Sequence, residues 1–144
     1  AAYGANADAY IAKLKELDHW IADRVKEVPE ASRLLVTNHD NFGYFADRYG
    51  FKIIGTVVPS ISAGASPSAE QLAELIDHIK ATRAKAIFLE RGINPQLAEQ
   101  VAKETGGTVV TDLYGDSLGD ATSPAATYID MLKFDTDAIV NVLK

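Results

Sequence analysis

The sequence predicts an α/β fold: a four-stranded parallel sheet with helices on both faces, preceded by part of a long helix. Four short runs of β-branched and apolar residues alternate with longer segments of helical periodicity, which is typical of sheets built from strand–helix–strand units. The strand runs are apolar almost throughout, as expected for strands that are covered on both faces. A chain of 144 residues is long enough to form one domain with a sizeable core.

The first predicted element is a long amphipathic helix over residues 5 to 28, which Pro29 ends. Its apolar residues recur every three or four positions and form one stripe that should face a core. The members of this stripe are Tyr10, Leu14, Leu17, Ile21, Val25 and Val28.

The next unit is a strand over residues 34–37 followed by a short helix over residues 41–49. Gly50 should end this helix, because glycine readily adopts the left-handed conformation found after a helix C-terminus. A second strand follows over residues 52–58, rich in β-branched side chains. Residues 59–67 form a long loop of small residues and prolines, which we expect on the surface.

The third helix should begin at Ser66-Pro67 or at Ser68, and Ser68 and Gln71 have the spacing of a capping box. A third strand is predicted over residues 85–89. Asn94 and Pro95 then fit the cap and first position of a fourth helix. Local capping signals therefore mark the starts of both helices.

The fourth helix should end at Gly106-Gly107, and a fourth strand follows over residues 108–111. A loop with three aspartates comes next. Ser123-Pro124 predicts the start of a last helix with a buried apolar face. Its inward-facing residues should be Tyr128, Met131, Leu132, Ile139 and Leu143.

Composition and charge exclude several functions. Fourteen basic residues against twenty acidic ones give a net charge of −6, which argues against nucleic-acid binding. The absence of cysteine excludes thiolate zinc sites, thiol catalysis and disulfides. No apolar run is long enough for a transmembrane segment. The first residues lack the pattern of a signal peptide, although a longer precursor could carry one.

Three polar residues are expected at one edge of the sheet. His39 lies two residues past the first strand, Glu90 directly follows the third, and Asp116 lies in the loop after the fourth. The carboxyl ends of parallel strands share an edge, and ligands bind there. An imidazole and two carboxylates fit a mixed nitrogen and oxygen metal site. A strand-end histidine is more often an ordinary hydrogen-bonded residue, whereas a buried Glu90 needs a cation, a partner or water.

Other polar residues have simpler interpretations. His19 and His78 are expected on wet helix faces. Asp112 and Asp120 could take the place of Asp116, although turns and helix caps explain them as well. The glycine-rich, phosphate-loop, zinc-protease and hydrolase motifs are missing from the sequence, so it gives no support for catalysis.

Four segments resemble a known family: VTNHDNFGYFADRYGF, AIFLERGINPQLAEQVAKETG, LYGDSLG and SPAATYIDMLKF. Together they are similar to the C-terminal lobe of the zinc- and manganese-binding solute receptors of ABC transporters, a group that includes the adhesin lipoproteins. The resemblance covers residues 5–144.

The resemblance implies a receptor of two lobes joined by a long helix, with the metal held between them. Residues 1–28 would be the end of that helix and residues 29–144 the C-terminal lobe. His39, Glu90 and Asp116 match the ligands of this lobe, and the N-terminal lobe, absent here, would supply the others.

The resemblance also implies partners, cargo and location. The cargo would be zinc or manganese, with ferrous iron also possible, and the partner would be an ABC permease. The location would be the periplasm or the outer face of the membrane, lipid-anchored in Gram-positive bacteria. No reaction would be catalysed.

Two departures from the family pattern carry expectations. Arg91 could pair with Glu90 when no metal is bound. Asp135 stands where the family often has asparagine, and we expect only a surface effect there. Two other functions stay open: a small α/β metal-dependent hydrolase using His39, Glu90 and a carboxylate, and an interaction module whose acidic loop residues bind no metal.

Overall fold

The computed structural model describes residues 2–59 and 66–144, and it confirms the predicted α/β fold. Four parallel strands form one sheet in the order β2-β1-β3-β4. Most of the predicted loop over residues 59–67 lies outside the described residues. The elements are α1 (Ala2–Val25), β1 (Leu34–Thr37), α2 (Gly43–Tyr49), β2 (Lys52–Thr56), α3 (Ala69–Thr82), β3 (Ala86–Glu90), α4 (Gln96–Thr105), β4 (Thr108–Leu113) and α5 (Tyr128–Leu143).

Helices cover both faces of the sheet, as predicted. Side chains alternate between the faces along each strand, so each strand contributes to two separate cores. The core beneath α1, α2 and α5 contains Leu35 and Phe88 of the sheet. The core beneath α3 and α4 contains Val36, Ile87 and Leu89. Each central strand is therefore buried on both sides, which explains its apolar sequence.

The long helix α1 packs on the domain only through its C-terminal half. Leu17, Ile21 and Val25 are buried in the core shared with α5. Residues 2–13 are exposed, and Tyr3 has 91% of its surface exposed to solvent. The predicted apolar stripe is thus buried over its second half and exposed over its first. The helix also ends at Val25, three residues before the predicted end.

Local signals predict several helix ends correctly. Gly50 ends α2 with a φ of 74°. The capping box at the start of α3 is present, since Ser68 and Gln71 exchange side-chain and backbone hydrogen bonds. At α4 the predicted start is one residue too early: the helix begins at Gln96 after Pro95, although the Asn94 Oδ1 accepts a hydrogen bond of 3.0 Å from the amide of Gln96.

The predicted start of the last helix at Ser123-Pro124 is wrong. The helix begins at Tyr128, and the Thr127 side chain caps it by accepting a hydrogen bond from the Asp130 amide. The Ser123 hydroxyl is used in a turn instead, where it donates to the carbonyl of Asp120. The predicted cap residue therefore stabilises a turn, and Thr127, four residues later, caps the helix.

The strand order places a crevice between β1 and β3. From β1 the chain crosses to β2 on one side of the sheet, and later to β3 on the other. At such a reversal the two following loops diverge and leave space at the carboxyl edge, where α/β proteins bind ligands. None of the described helices is both long and apolar enough to cross a bilayer.

Candidate metal centre

The residues predicted as ligands meet at this crevice. His39 follows β1, Glu90 ends β3, and Asp116 follows β4. One ligand atom from each lies within 4.8 Å of the other two. Within residues 2–59 and 66–144, they form the one group of three or more such side chains that is close enough to share an ion. They line a cavity of about 450 Å³.

The backbone around His39 is held by the sheet. The amide of Asn38 donates to the carbonyl of Phe88 on β3, at 3.0 Å. The Thr37 hydroxyl donates to the carbonyl of His39 itself, at 2.8 Å. The backbone after β1 is therefore hydrogen-bonded to β3 and to Thr37, the last residue of β1. These bonds fix the backbone position of His39.

The imidazole of His39 lies between the two carboxylates. Its Nδ1 is 3.4 Å from Oε2 of Glu90, and its Nε2 is 3.9 Å from Oδ2 of Asp116. The side chain is only 12% exposed, and among the described residues the buried Nδ1 has no hydrogen-bond partner. A buried polar atom without a partner is costly, and a cation held beside the ring would remove part of that cost.

Glu90 is a largely buried carboxylate with one oxygen engaged. The Asn41 side-chain amide donates to its Oε1, while Oε2 faces His39. Burial raises the pKa of Glu90; the neighbouring His39 lowers it, the charge of Asp116 raises it, and the Asn41 hydrogen bond lowers it. A divalent cation would favour the ionised form, because it offsets both the desolvation and the repulsion.

Asp116 forms the open side of the site. Its side chain is 64% exposed, and it lies in the loop that joins β4 to α5. Asp120, one possible substitute, closes a turn instead: its Oδ1 accepts from both the amide and the hydroxyl of Thr122, and these bonds lower its pKa. Asp112 is exposed and stands outside the cluster, so Asp116 is the aspartate that the fold brings to the site.

Gly115 packs directly on Glu90, a contact that the sequence did not reveal. Its φ is +62°, which other residues rarely adopt. A Cβ at this position would lie 2.6 Å from both Cγ and Oε1 of Glu90. Only glycine leaves room for the carboxylate, and the one available signal was a glycine immediately before a predicted ligand.

Two sequence-based expectations are wrong. The guanidinium of Arg91 lies 5.1 Å from the ring centroid of Tyr114, and among the described residues the basic side chain that pairs with Glu90 is His39. The aromatic face attracts the cation, while Oε1 of Glu90 accepts a hydrogen bond from Asn41 and Oε2 faces His39.

The second wrong expectation concerns Asp135, which is not a surface residue. It is 2% exposed and its carboxylate accepts two backbone hydrogen bonds. Its spacing was informative, because Met131 and Ile139 lie four residues before and after it and are buried on the same side of α5. His19 and His78 are exposed, in agreement with their predicted positions.

Comparison with known proteins gives one family over nearly the whole chain. Residues 1–142 match the family described as the periplasmic component A of the zinc-uptake complex. The manganese-binding lipoprotein MntA of Halalkalibacterium halodurans is 33% identical over 141 residues, which are 98% of this chain and 46% of that protein. The iron-binding protein YfeA of Yersinia pestis is 36% identical over 137 residues, which are 95% of this chain and 43% of that protein.

A solved structure supports the same relationship. The Mn-bound periplasmic metal-binding protein of Candidatus Liberibacter asiaticus superimposes with a TM-score of 0.85 at 32% identity. The match covers 99% of this chain and 52% of that one. The chain therefore spans about half the length of the relatives it matches.

Proposed function

The chain belongs to the family of the periplasmic component A of zinc-uptake complexes, and from this membership we propose that it is the C-terminal lobe of a solute-binding receptor for a divalent transition metal. His39, Glu90 and Asp116 are its metal ligands. The observation that carries this proposal is the convergence of their ligand atoms within 4.8 Å at the crevice between β1 and β3. The receptor captures the ion and delivers it to an ABC permease, and it catalyses no reaction.

The donor set is compatible with more than one metal. One imidazole nitrogen and two carboxylates suit Zn²⁺, Mn²⁺ and Fe²⁺ alike, and at a fixed site the intrinsic affinity of zinc exceeds that of manganese. The related proteins named above are described as manganese- and iron-binding. Selectivity must therefore depend on geometry and supply, and the cargo of this chain is zinc, manganese or ferrous iron.

Three ligands leave the coordination sphere incomplete, since structural zinc sites are usually closed by four. We propose that a preceding N-terminal lobe supplies the others across the crevice. Residues 1–28 are then the end of the helix that joins the lobes, and residues 29–144 are the C-terminal lobe. The exposed first half of α1 and the exposed apolar residues at the site, Ile93 and Leu118, support a covering partner.

The proposed location is outside the cytoplasm. The matched family is described as periplasmic, and MntA of H. halodurans is described as a lipoprotein. A lipid anchor or secretion signal would belong to the longer protein. The metal-dependent hydrolase that the sequence allowed gains no support, because the matched family is described as a component of a zinc-uptake complex and the named relatives as binding proteins.

Elemental analysis of the full-length protein tests the proposal. The protein is purified from cells grown with zinc or with manganese, as wild type and as the His39→Ala, Glu90→Ala and Asp116→Ala variants. We expect about one bound metal ion in the wild type and a loss in each variant. His78→Ala is the matched control, since His78 is an exposed histidine outside the cluster. Unchanged metal content in all three ligand variants would refute the receptor function.

A further inference from the structure

We propose that Asp135 is a positioning residue for the metal site, because it holds the loop that carries Asp116 and contacts Glu90. This inference rests on the proposed metal-receptor function. Asp135 lies in the middle of α5 and is 2% exposed. Its Oδ1 accepts a hydrogen bond of 2.8 Å from the amide of Tyr114, and its Oδ2 accepts one of 2.9 Å from the amide of Gly115. The carboxylate thus binds two successive peptide groups at once.

The two bound amides belong to a tight turn. The amide of Ser117 donates to the carbonyl of Tyr114 at 3.1 Å, which closes a four-residue turn with Gly115 and Asp116 at its centre. Asp135 therefore binds the first two residues of the turn, and the next residue is the candidate ligand. Displacing the turn would move Asp116 relative to His39, whose Nε2 is now 3.9 Å from Oδ2.

The same turn also sets the environment of Glu90. Gly115 approaches Glu90 so closely that a Cβ would overlap it at 2.6 Å. Asn41, which donates to Glu90, lies 3.0 Å from the same Cβ position. Asp135 therefore acts on two of the three ligands: on Asp116 through the backbone of the turn, and on Glu90 through the packing of Gly115.

The surroundings of Asp135 favour this role over that of an ion-pair partner. Among the described residues, the hydrogen-bond partners of its carboxylate are these two amides, and no lysine or arginine forms a salt bridge with it. Burying a carboxylate is costly unless it is hydrogen-bonded, and bonds from amides to a charged acceptor are among the stronger ones. Residues that orient metal ligands typically change affinity by about 10- to 100-fold when removed.

The test compares the full-length protein as wild type, Asp135→Asn and Asp135→Ala. Binding of Mn²⁺ alone is measured from the loss of the free-ion signal in electron paramagnetic resonance, at a temperature where circular dichroism shows each variant folded. Asp137→Asn is the matched control: Asp137 lies on the same helix, carries the same charge, and pairs with Arg24 instead. We expect Asp137→Asn to bind within about twofold of the wild type and Asp135→Ala to bind about tenfold more weakly or worse.

Asparagine keeps one acceptor oxygen, so Asp135→Asn should fall between the wild type and alanine, and it provides the test if alanine prevents folding. Amide hydrogen exchange at Tyr114 or Gly115 should be faster in Asp135→Asn. The affinity loss should also shrink when Asp135→Asn is made in an Asp116→Asn background, an effect that a purely structural role would not produce.

Wild-type affinity in a folded Asp135→Asn or Asp135→Ala variant would overturn the positioning role alone, as would an equal fold loss in both backgrounds. If the wild type binds only Zn²⁺ or Fe²⁺, the same comparison is made with that ion by calorimetry. A folded full-length wild type that binds none of Mn²⁺, Zn²⁺ and Fe²⁺ would overturn this inference together with the receptor function.

Discussion

Replacing Gly115 with alanine should lower both the stability of the chain and its affinity for metal. The substitution has two separable costs. The φ of +62° places the new side chain in the left-handed region, at a cost of about 1–2 kcal/mol in the free energy of unfolding. The new Cβ also lies 2.6 Å from Cγ and Oε1 of Glu90, so the carboxylate or the turn must shift.

Gly106→Ala is the matched control for the first cost. Gly106 ends α4 with a φ of +73°, and a Cβ there meets no atom of residues 2–59 and 66–144 within 4 Å. Its backbone penalty is similar, about 1–2 kcal/mol, but it leaves Glu90 untouched. The difference in metal affinity between the two variants therefore reports the displacement of Glu90.

The assay pairs urea denaturation with a calorimetric Zn²⁺ titration of each folded variant. We expect both variants to lose stability, Gly115→Ala the more. We expect Gly106→Ala to keep wild-type metal affinity and Gly115→Ala to bind about tenfold more weakly or worse, as for the loss of other contacts that orient ligands. If Gly115→Ala bound Zn²⁺ as tightly as Gly106→Ala, the placement of Glu90 by this turn would be wrong.

Three further outcomes follow from the charges and the open coordination sphere. Burial and Asp116 raise the pKa of Glu90, so ionisation of Glu90 destabilises the metal-free fold as the pH rises through that pKa. The Glu90→Gln variant should therefore be more stable than the wild type at neutral pH and lose this advantage in acid. It should also bind metal less well. Urea denaturation at both pH values checks it, and a Glu90→Gln variant less stable than the wild type at neutral pH would contradict it. The hydrogen bond from Arg48 lowers the pKa of Asp18 to about 2 from 3.8. The contribution of this pair to stability is therefore present above about pH 3.8 and is lost as the pH falls toward about 2. Acid denaturation of the Asp18→Asn variant should lack this component, and a profile identical to that of the wild type would contradict the pairing. The 144-residue chain alone should bind metal weakly, and a titration showing the affinity of the full-length receptor would contradict the need for a second lobe.

Much of the fold followed from the sequence because its signals are local. Apolar runs such as Ile87–Leu89 and stop signals such as Gly50 act within a few residues, and parallel connections then place every strand end on one edge. The convergence of His39 and Glu90 required only that edge.

The predictions that were wrong, and the role that was missed, depended on contacts between residues that are distant in the sequence. Asp135 reads as an ordinary aspartate of a helix until the loop after β4 is seen to place two amides against it. The start of α5 was misplaced because Ser123 serves a turn. Gly115 likewise acquires its role only through packing on Glu90, which lies 25 residues earlier in the sequence.

The central claim, that His39, Glu90 and Asp116 hold a metal ion, is tested most directly by anomalous diffraction. Crystals of the chain are soaked in Zn²⁺, and data are collected on both sides of the zinc absorption edge. We expect one peak in the crevice, about 2.0–2.2 Å from an imidazole nitrogen of His39 and from an oxygen of each carboxylate. The absence of a peak there, or a strong peak only at other residues, would contradict the proposed site.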